Sequence, residues 1–207
     1  MANFDNPNGA TPVGTINGSP WQASVRAYQL DATHAAIAVG DFVQMTADGY
    51  PDVYAAGETQ LLGACIGVLP AYPTTVNGKL GDNQLSNTEP TISGAAVRNS
   101  AANATDIILV VTGPDVIYEL QEDGDTTPLT LAGIGANVDI INAGVNSTTG
   151  NSTMEIDSTT VATTNTLPLR LLGLVQRPGN ELASVDATKP WTRWLVVPAN
   201  HSFHGRS

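Results

Sequence analysis

The most acidic stretch of the chain is Glu122-Asp123-Gly124-Asp125, in which three carboxylates flank one glycine. Carboxylate oxygens are the ligands that calcium and magnesium prefer. The spacing does not match the loop of helix–loop–helix calcium proteins, and a turn that ends a strand in solvent explains the same residues. We therefore predict a solvated acidic turn here and no metal site.

Two other patterns have the outline of a binding site. His201 and His204 are three residues apart and could share a metal on one helical face, but their Ser-Phe-His-Gly context predicts a polar tail instead. Gly133-Ile134-Gly135 begins like a dinucleotide fingerprint, yet the third glycine is missing and a strand-like run follows. We expect no cofactor at either place.

The familiar catalytic motifs are absent from the sequence. It contains no phosphate-loop lysine motif, no Gly-x-Ser-x-Gly elbow and no Cys or His pair at zinc spacing. Paired carboxylates that cleave sugars are defined by a distance in space, so sequence leaves that reaction open. A sugar-cleaving cleft usually displays several aromatic side chains, however, and only 5% of the residues are aromatic. We expect no enzymatic activity.

The segment WTRWLVV near the C-terminus contains candidates for a subunit interface. Trp191 and Trp194 are three apart in a strand-like run, so they are expected on opposite faces of a sheet. One should pack inward, and the other could anchor an interface together with Arg193, since Trp and Arg are over-represented at binding hot spots. Ordinary packing in the core and its rim is the alternative. The interface candidates are Trp191, Arg193 and Trp194.

Composition limits the partners of this 207-residue chain. Its formal charge is −11, which opposes binding to a phosphate backbone, and charged residues make up only 13%, which suits close contact with another protein. No apolar run is long enough to span a membrane, and the N-terminus lacks the pattern of a signal peptide. We expect a soluble protein, synthesised in a cytoplasm, that binds neither nucleic acid nor membrane. Cys65 stands alone in an apolar context, which predicts a buried thiol.

Strand signals dominate the sequence. Asp106–Asp125 contains two apolar runs separated by Gly113-Pro114-Asp115, which predicts a pair of strands in a hairpin, the first buried on both faces. Residues 61–70 and 171–178 are expected to be central strands, and Thr127–Ala132 a short helix. The predicted fold is all-β with at most one or two short helices, either an antiparallel β-barrel or a β-sandwich.

Composition shifts divide the chain into three parts. Residues 1–24 are rich in Asn, Gly, Pro, Ser and Thr and predict an extended N-terminal arm. Residues 25–199 form a single β-rich domain with long surface loops at 71–105 and 143–166, and residues 200–207 form a polar tail.

The predicted arm contains isolated apolar and proline residues, which indicate order gained by lying against a partner. If the arm is separate from the core, its removal should leave the β domain folded. The candidates for partner contact are Phe4, Pro7, Pro12, Val13, Ile16 and Trp21.

Three segments together resemble a known family. They are NPNGATPV with NGSP at 6–20, VIYELQED at 116–123, and LLGLVQRPGNE at 171–181. In order and character they are similar to capsid decoration, or cement, proteins of tailed bacteriophages. The resemblance implies a β-rich protein on the outer surface of an icosahedral shell, often a homotrimer, that clamps neighbouring major capsid subunits. It also implies binding to the expanded shell and not to its precursor, after synthesis in the host cytoplasm.

A second class of function remains open from sequence. A carbohydrate-binding or adhesive β-module on a virion or cell surface would have the same strand-rich composition. Such a module needs exposed aromatic side chains at its binding site. The low aromatic content disfavours it.

Overall fold

The computed structural model describes residues 3–31, 33–69, 106–146, 148–182 and 191–203, and this part of the chain is all-β. Two 3-10 turns, Trp21–Ser24 and Leu131–Gly133, accompany eleven strands. In chain order the strands are β1 (Thr11–Thr15), β2 (Val25–Gln29), β3 (Phe42–Met45), β4 (Pro51–Val53), β5 (Gly63–Leu69), β6 (Ile107–Val111), β7 (Val116–Gln121), β8 (Asn137–Ile141), β9 (Glu155–Ala162), β10 (Leu169–Leu174) and β11 (Arg193–Pro198).

The strands form two open antiparallel sheets. One has six strands in the order β1-β7-β11-β10-β8-β9, and the other has five in the order β2-β6-β5-β3-β4. Neither sheet closes on itself among the described residues, so of the two predicted architectures the structure is consistent with a β-sandwich. The expectation that β5 and β10 are interior strands is confirmed.

The main core lies between the two sheets. Phe42 of the five-stranded sheet meets Tyr118 of the six-stranded sheet edge to face, with ring centroids 5.2 Å apart. The Tyr118 hydroxyl donates a hydrogen bond to the Val111 carbonyl at 3.0 Å, which ties the sheets together through a buried polar atom. Trp194 is fully buried in the same cluster.

A second apolar cluster covers the outer face of the five-stranded sheet. Val110 belongs to it while Val111 belongs to the main core, because successive residues of a strand point to opposite faces. Strand β6 is therefore buried on both faces, as its apolar run predicted. Cys65 lies in this second cluster as a buried free thiol, and burial raises its pKa to about 12.

The predicted hairpin at 106–125 is wrong, although both of its strands exist. Strand β6 pairs with β2 and β5, whereas β7 pairs with β1 and β11 in the other sheet. The turn at Gly113-Pro114-Asp115 carries the chain from one sheet across to the other. A hairpin turn and a corner of this kind share the same residue types, and Pro114 removes a donor that a continuing ladder would need.

The predicted N-terminal arm lies along the chain's own sheets. Thr11–Thr15 forms strand β1, the edge strand beside β7, although this segment shows no strand periodicity. Just before it, Gly9 and Ala10 are buried, and the Ala10 amide donates to the Gly40 carbonyl at 2.8 Å. Because β1 covers one edge of β7, we now expect removal of this segment to destabilise the core.

Two further expectations change. Within the predicted surface loop 143–166, Glu155–Ala162 forms strand β9, with Met154 and Ile156 buried in the main core. In the predicted polar tail, His201 is buried and bridges to Leu61. Both segments are polar in sequence, but the first pairs with β8 as a strand and the second forms a bridge to Leu61.

The remaining expectations concern short elements. The short helix expected at Thr127–Ala132 is instead a three-residue 3-10 turn at Leu131–Gly133. The predicted loop 71–105 and His204 lie outside the described residues.

Candidate contact surface

Three large apolar side chains are exposed along the N-terminal segment, two at the edge strand β1 and one upstream of it. Phe4 is 71% exposed, Val13 48% and Ile16 62%. We call these three residues the N-terminal surface. Of the other sequence candidates in this segment, Pro7 and Pro12 are half-buried, and Trp21 is half-buried against the main core.

Asn3 fixes the chain immediately before Phe4. Its side-chain amide donates to the Glu181 carbonyl at 2.6 Å and to the Thr192 hydroxyl at 3.2 Å, and its carbonyl accepts from the Glu181 amide at 3.0 Å. The residue is itself buried, so these bonds are shielded from water. Phe4 is thus presented to solvent from an anchored backbone.

Arg193 provides the second anchor. Its guanidinium donates to the Asn6 carbonyl at 2.8 Å and lies 3.5 Å from the Glu119 carboxylate. Glu119 also forms a salt bridge with Arg177 at 2.7 Å. Burial lowers the pKa of Arg193, and the Glu119 charge opposes that shift. This subunit-interface candidate is therefore used to hold the chain's own N-terminal segment.

The two tryptophans of the interface prediction take different positions. Trp194 is fully buried in the main core, so its side chain cannot contact a second subunit in this fold. Trp191 is half-buried and packs on Gly124, where an added Cβ would lie 2.4 Å from the indole nitrogen. Trp191 keeps some exposed surface, whereas Trp194 has a structural role.

The edge strand β1 is poorly suited to pairing with another strand. Its register with β7 shifts between Pro12 and Gly14, which places Val13 in a bulge. Pro12 has no amide hydrogen to donate. Bulges and prolines are two ways in which proteins protect a sheet edge from strand addition. The N-terminal surface therefore exposes apolar side chains rather than a free hydrogen-bonding ladder.

The acidic turn after β7 differs from its prediction at Glu122. This carboxylate is fully buried and accepts hydrogen bonds from the Leu129 amide at 2.8 Å and the Thr192 amide at 3.3 Å. Burial raises its pKa to about 7, against the lowering effect of those bonds. The prediction of a solvated turn is therefore wrong for Glu122, because its carboxylate is buried and binds the backbone amides of Leu129 and Thr192.

The other two carboxylates of the turn also bind the chain itself. Asp123 accepts from the Ser158 amide at 3.2 Å, and Asp125 accepts from the Ser158 hydroxyl at 3.0 Å and the Thr127 amide at 2.6 Å. Across the described ranges, no group of three or more His, Cys, Asp or Glu side chains is placed to hold a metal ion.

Glu155 connects the acidic turn to the N-terminal segment. Its pKa is raised to about 7, first by burial and then by the charges of Asp5 and Asp123. Gln121 donates to it at 3.2 Å, and Arg193 also favours its ionised form. Asp5 follows Phe4 directly, so the Glu155 carboxyl is electrostatically coupled to the residue next to Phe4.

Comparison with protein-family models, curated proteins and solved structures finds no significant match for this chain. Among the residues that the structure describes, no helix is long and apolar enough to cross a membrane.

Sequence reasoning identified the exposed residues of the N-terminal surface but missed its anchors. Asn3 is one of many asparagines in a polar segment, and its partners at Glu181 and Thr192 are far away in the chain. No local signal distinguishes it. Glu119 and Arg177 lie in two of the segments that carry the family resemblance, but only the fold brings them together as a salt bridge.

Proposed function

We propose that this protein is a virion structural protein that decorates the outside of an icosahedral phage capsid and bridges neighbouring major capsid subunits. It acts as a homotrimer without a cofactor or enzymatic activity, and it binds neither nucleic acid nor membrane directly. It is synthesised in the host cytoplasm and ends on the outer capsid surface. The observation that carries the proposal is the N-terminal surface, in which Phe4, Val13 and Ile16 are exposed on an anchored backbone.

The geometry of this surface favours a protein partner. Isolated exposed apolar side chains are common, but these three belong to one segment that hydrogen bonds hold at Asn3, Asn6 and Ile16. An anchored segment loses less conformational entropy on binding than a mobile one, so more of the apolar contact energy contributes to affinity. Contact through these side chains needs no inserted strand.

The charge distribution of the chain supports the same class of partner. Only 13% of residues are charged, which lowers the desolvation cost of a broad protein contact, and the net charge of −11 opposes direct contact with DNA. Three copies joined in a trimer would bind several capsid subunits at once, and such multivalency multiplies weak individual contacts. Bound only to the expanded shell, the protein stabilises that state by linkage.

Co-sedimentation with capsids tests the proposal. Purified protein is mixed with expanded capsids that lack it, and separately with precursor capsids, and each mixture is pelleted. We expect the protein in the pellet of expanded capsids only. Absence from that pellet would contradict the proposal, and retention on polysaccharide resins instead would favour a carbohydrate-binding module.

A matched pair of variants assigns the contact. The variant Phe4→Ser/Val13→Thr/Ile16→Thr removes the N-terminal surface and should lose pelleting. Leu131→Ser/Ile134→Thr removes two exposed apolar side chains beside β8, on the far side of the sheet from β1, and should pellet normally. If the first variant still pellets and the second does not, the capsid contact lies outside the N-terminal surface.

A further inference from the structure

The sequence contains three Asn-Gly steps, at Asn8-Gly9, Asn17-Gly18 and Asn77-Gly78, the last outside the described residues. Glycine has no side chain to shield its backbone nitrogen or to restrict its dihedral angles. That nitrogen can therefore attack the side-chain amide of the preceding asparagine more easily than at any other residue. Whether it does so in a folded protein depends on the room around the step.

We propose that Asn17 is a site of spontaneous deamidation, which converts it to aspartate and isoaspartate in the native protein. The step lies in the exposed turn that follows β1, and an added Cβ on Gly18 would meet no atom within 4 Å. The turn therefore has space to change its backbone angles.

Hydrogen bonds in this turn favour attack on the Asn17 side chain. Its carbonyl oxygen accepts from the Ser19 amide at 2.8 Å and lies 3.0 Å from the Thr15 hydroxyl. The hydroxyl proton is shared with the Ser19 carbonyl at 2.7 Å. Donors at this oxygen stabilise the negative charge that develops on it when the carbon is attacked.

The reaction needs only water. The Gly18 nitrogen loses its proton and forms a bond to Cγ of Asn17, the bond from Cγ to Nδ2 breaks, and ammonia leaves with one added proton. Water then opens the resulting succinimide at either carbonyl, which gives aspartate or isoaspartate. The hydrogen bond from the Gly18 amide to the Thr15 carbonyl, 3.2 Å long, must open first, and base accelerates the step.

Asn8-Gly9 has the same two residues in a closed environment. Gly9 is buried, and an added Cβ would lie 2.3 Å from the Gly40 carbonyl oxygen and 2.5 Å from the Ser152 side chain. The backbone there cannot rearrange without displacing its neighbours. We therefore infer that the fold protects Asn8 and leaves Asn17 reactive.

Modification at Asn17 would place a new negative charge beside the N-terminal surface. Ile16 directly precedes Asn17, and its amide donates to the Asp115 carbonyl at 2.9 Å, which holds the turn against the sheet. Isoaspartate would also lengthen the backbone of the turn. The chemistry itself is independent of the proposed function.

Peptide mapping of the aged protein tests the proposal. The native chain is incubated in mildly alkaline buffer, digested, and analysed by mass spectrometry for the mass gain of deamidation and for isoaspartate. We expect the Asn17 peptide to be modified at least several-fold faster than the Asn8 peptide. Equal rates, faster modification of Asn8, or an unmodified Asn17 would each overturn it.

Two controls separate fold from sequence. In denaturant the Asn8 and Asn17 peptides should be modified at comparable rates, because the local sequences are then equally free. If the native difference persists unchanged in denaturant, the fold is not its cause. The variant Asn17→Gln should show no product at position 17, and persistence of that signal would assign it to another residue.

Discussion

At the scale of single residues, the fold uses polar side chains chiefly to hold backbone segments together. Asn3 joins the N-terminus to the segments around Glu181 and Thr192, and Glu122 closes the turn after β7. A buried polar group of this kind is favourable only while all its partners are present. The residues with the most suggestive chemistry in the sequence are therefore largely structural.

Glu155 makes stability depend on pH. Its pKa is raised from 4.5 to about 7 in the folded protein by burial and by Asp5 and Asp123, so the native state binds the proton more tightly than the unfolded chain. Its favourable contribution is complete below about pH 4.5 and is lost as pH rises to about 7. We expect Glu155→Gln to raise the melting temperature above pH 7. Between about pH 4.5 and pH 7, the melting temperature of the variant should decrease less than that of the wild type.

The measurement is thermal unfolding of wild type and variant across that pH range. The pKa of Glu122 is also raised to about 7, so the melting temperature of the Glu155→Gln variant should still decrease in part as the pH rises. The variant Glu58→Gln, the same change at an exposed position, serves as the control and should follow the wild type. A Glu155→Gln curve that is parallel to the wild-type curve at every pH would exclude this role for Glu155.

Residue-level prediction from sequence succeeded where local context decides. Cys65 is buried as its apolar neighbours indicated, and Phe4, Val13 and Ile16 are exposed on the segment that was selected. It failed for Glu122, because one of the amides that bind this carboxylate belongs to Thr192, 70 residues away in the chain.

At the scale of elements, strand β1 is the clearest departure from sequence. Its polar, glycine- and proline-containing segment has no alternation, yet it covers the edge of β7. Edge strands need only one hydrogen-bonded neighbour, so they tolerate compositions that a central strand does not. The runs at β5 and β6 were recognised because these two strands carry apolar residues on both faces, one face in each apolar cluster.

Deletion of residues 1–20 should destabilise the domain. It removes β1 and the buried Ala10, and it exposes the edge of β7. We expect a loss of more than about 2 kcal/mol in the free energy of unfolding, measured by urea titration. The Phe4→Ser/Val13→Thr/Ile16→Thr variant changes only exposed side chains and should stay within about 0.5 kcal/mol of wild type. A deletion variant as stable as the wild type would show that residues 1–20 form a separate arm that the domain does not need.

At the scale of the whole molecule, composition predicted the all-β class but not the pairing of strands. The sandwich is assembled from long-range contacts, such as β1 with β7 and β7 with β11, whose partners are far apart in the chain. Local turn chemistry at Gly113-Pro114-Asp115 fits both a hairpin and a corner between sheets. Which one forms depends on the neighbours that each strand finds, and no short sequence window contains that information.

The N-terminal segment is anchored to the six-stranded sheet and exposes three apolar side chains. The proposed capsid role requires the β1 edge of this sheet to face the shell, because the N-terminal surface is the part that a partner would cover. The protected, bulged strand at the same edge requires the contact to be made by side chains. Both requirements concern orientation on the particle.

An electron-microscopy map of the expanded particle carrying this protein tests that orientation most directly. We expect density for the sandwich on the outside of the shell, over joints between major capsid subunits, with Phe4, Val13 and Ile16 in contact with capsid protein. Density with β1 and these three side chains facing solvent, or a particle without the protein on its surface, would contradict it.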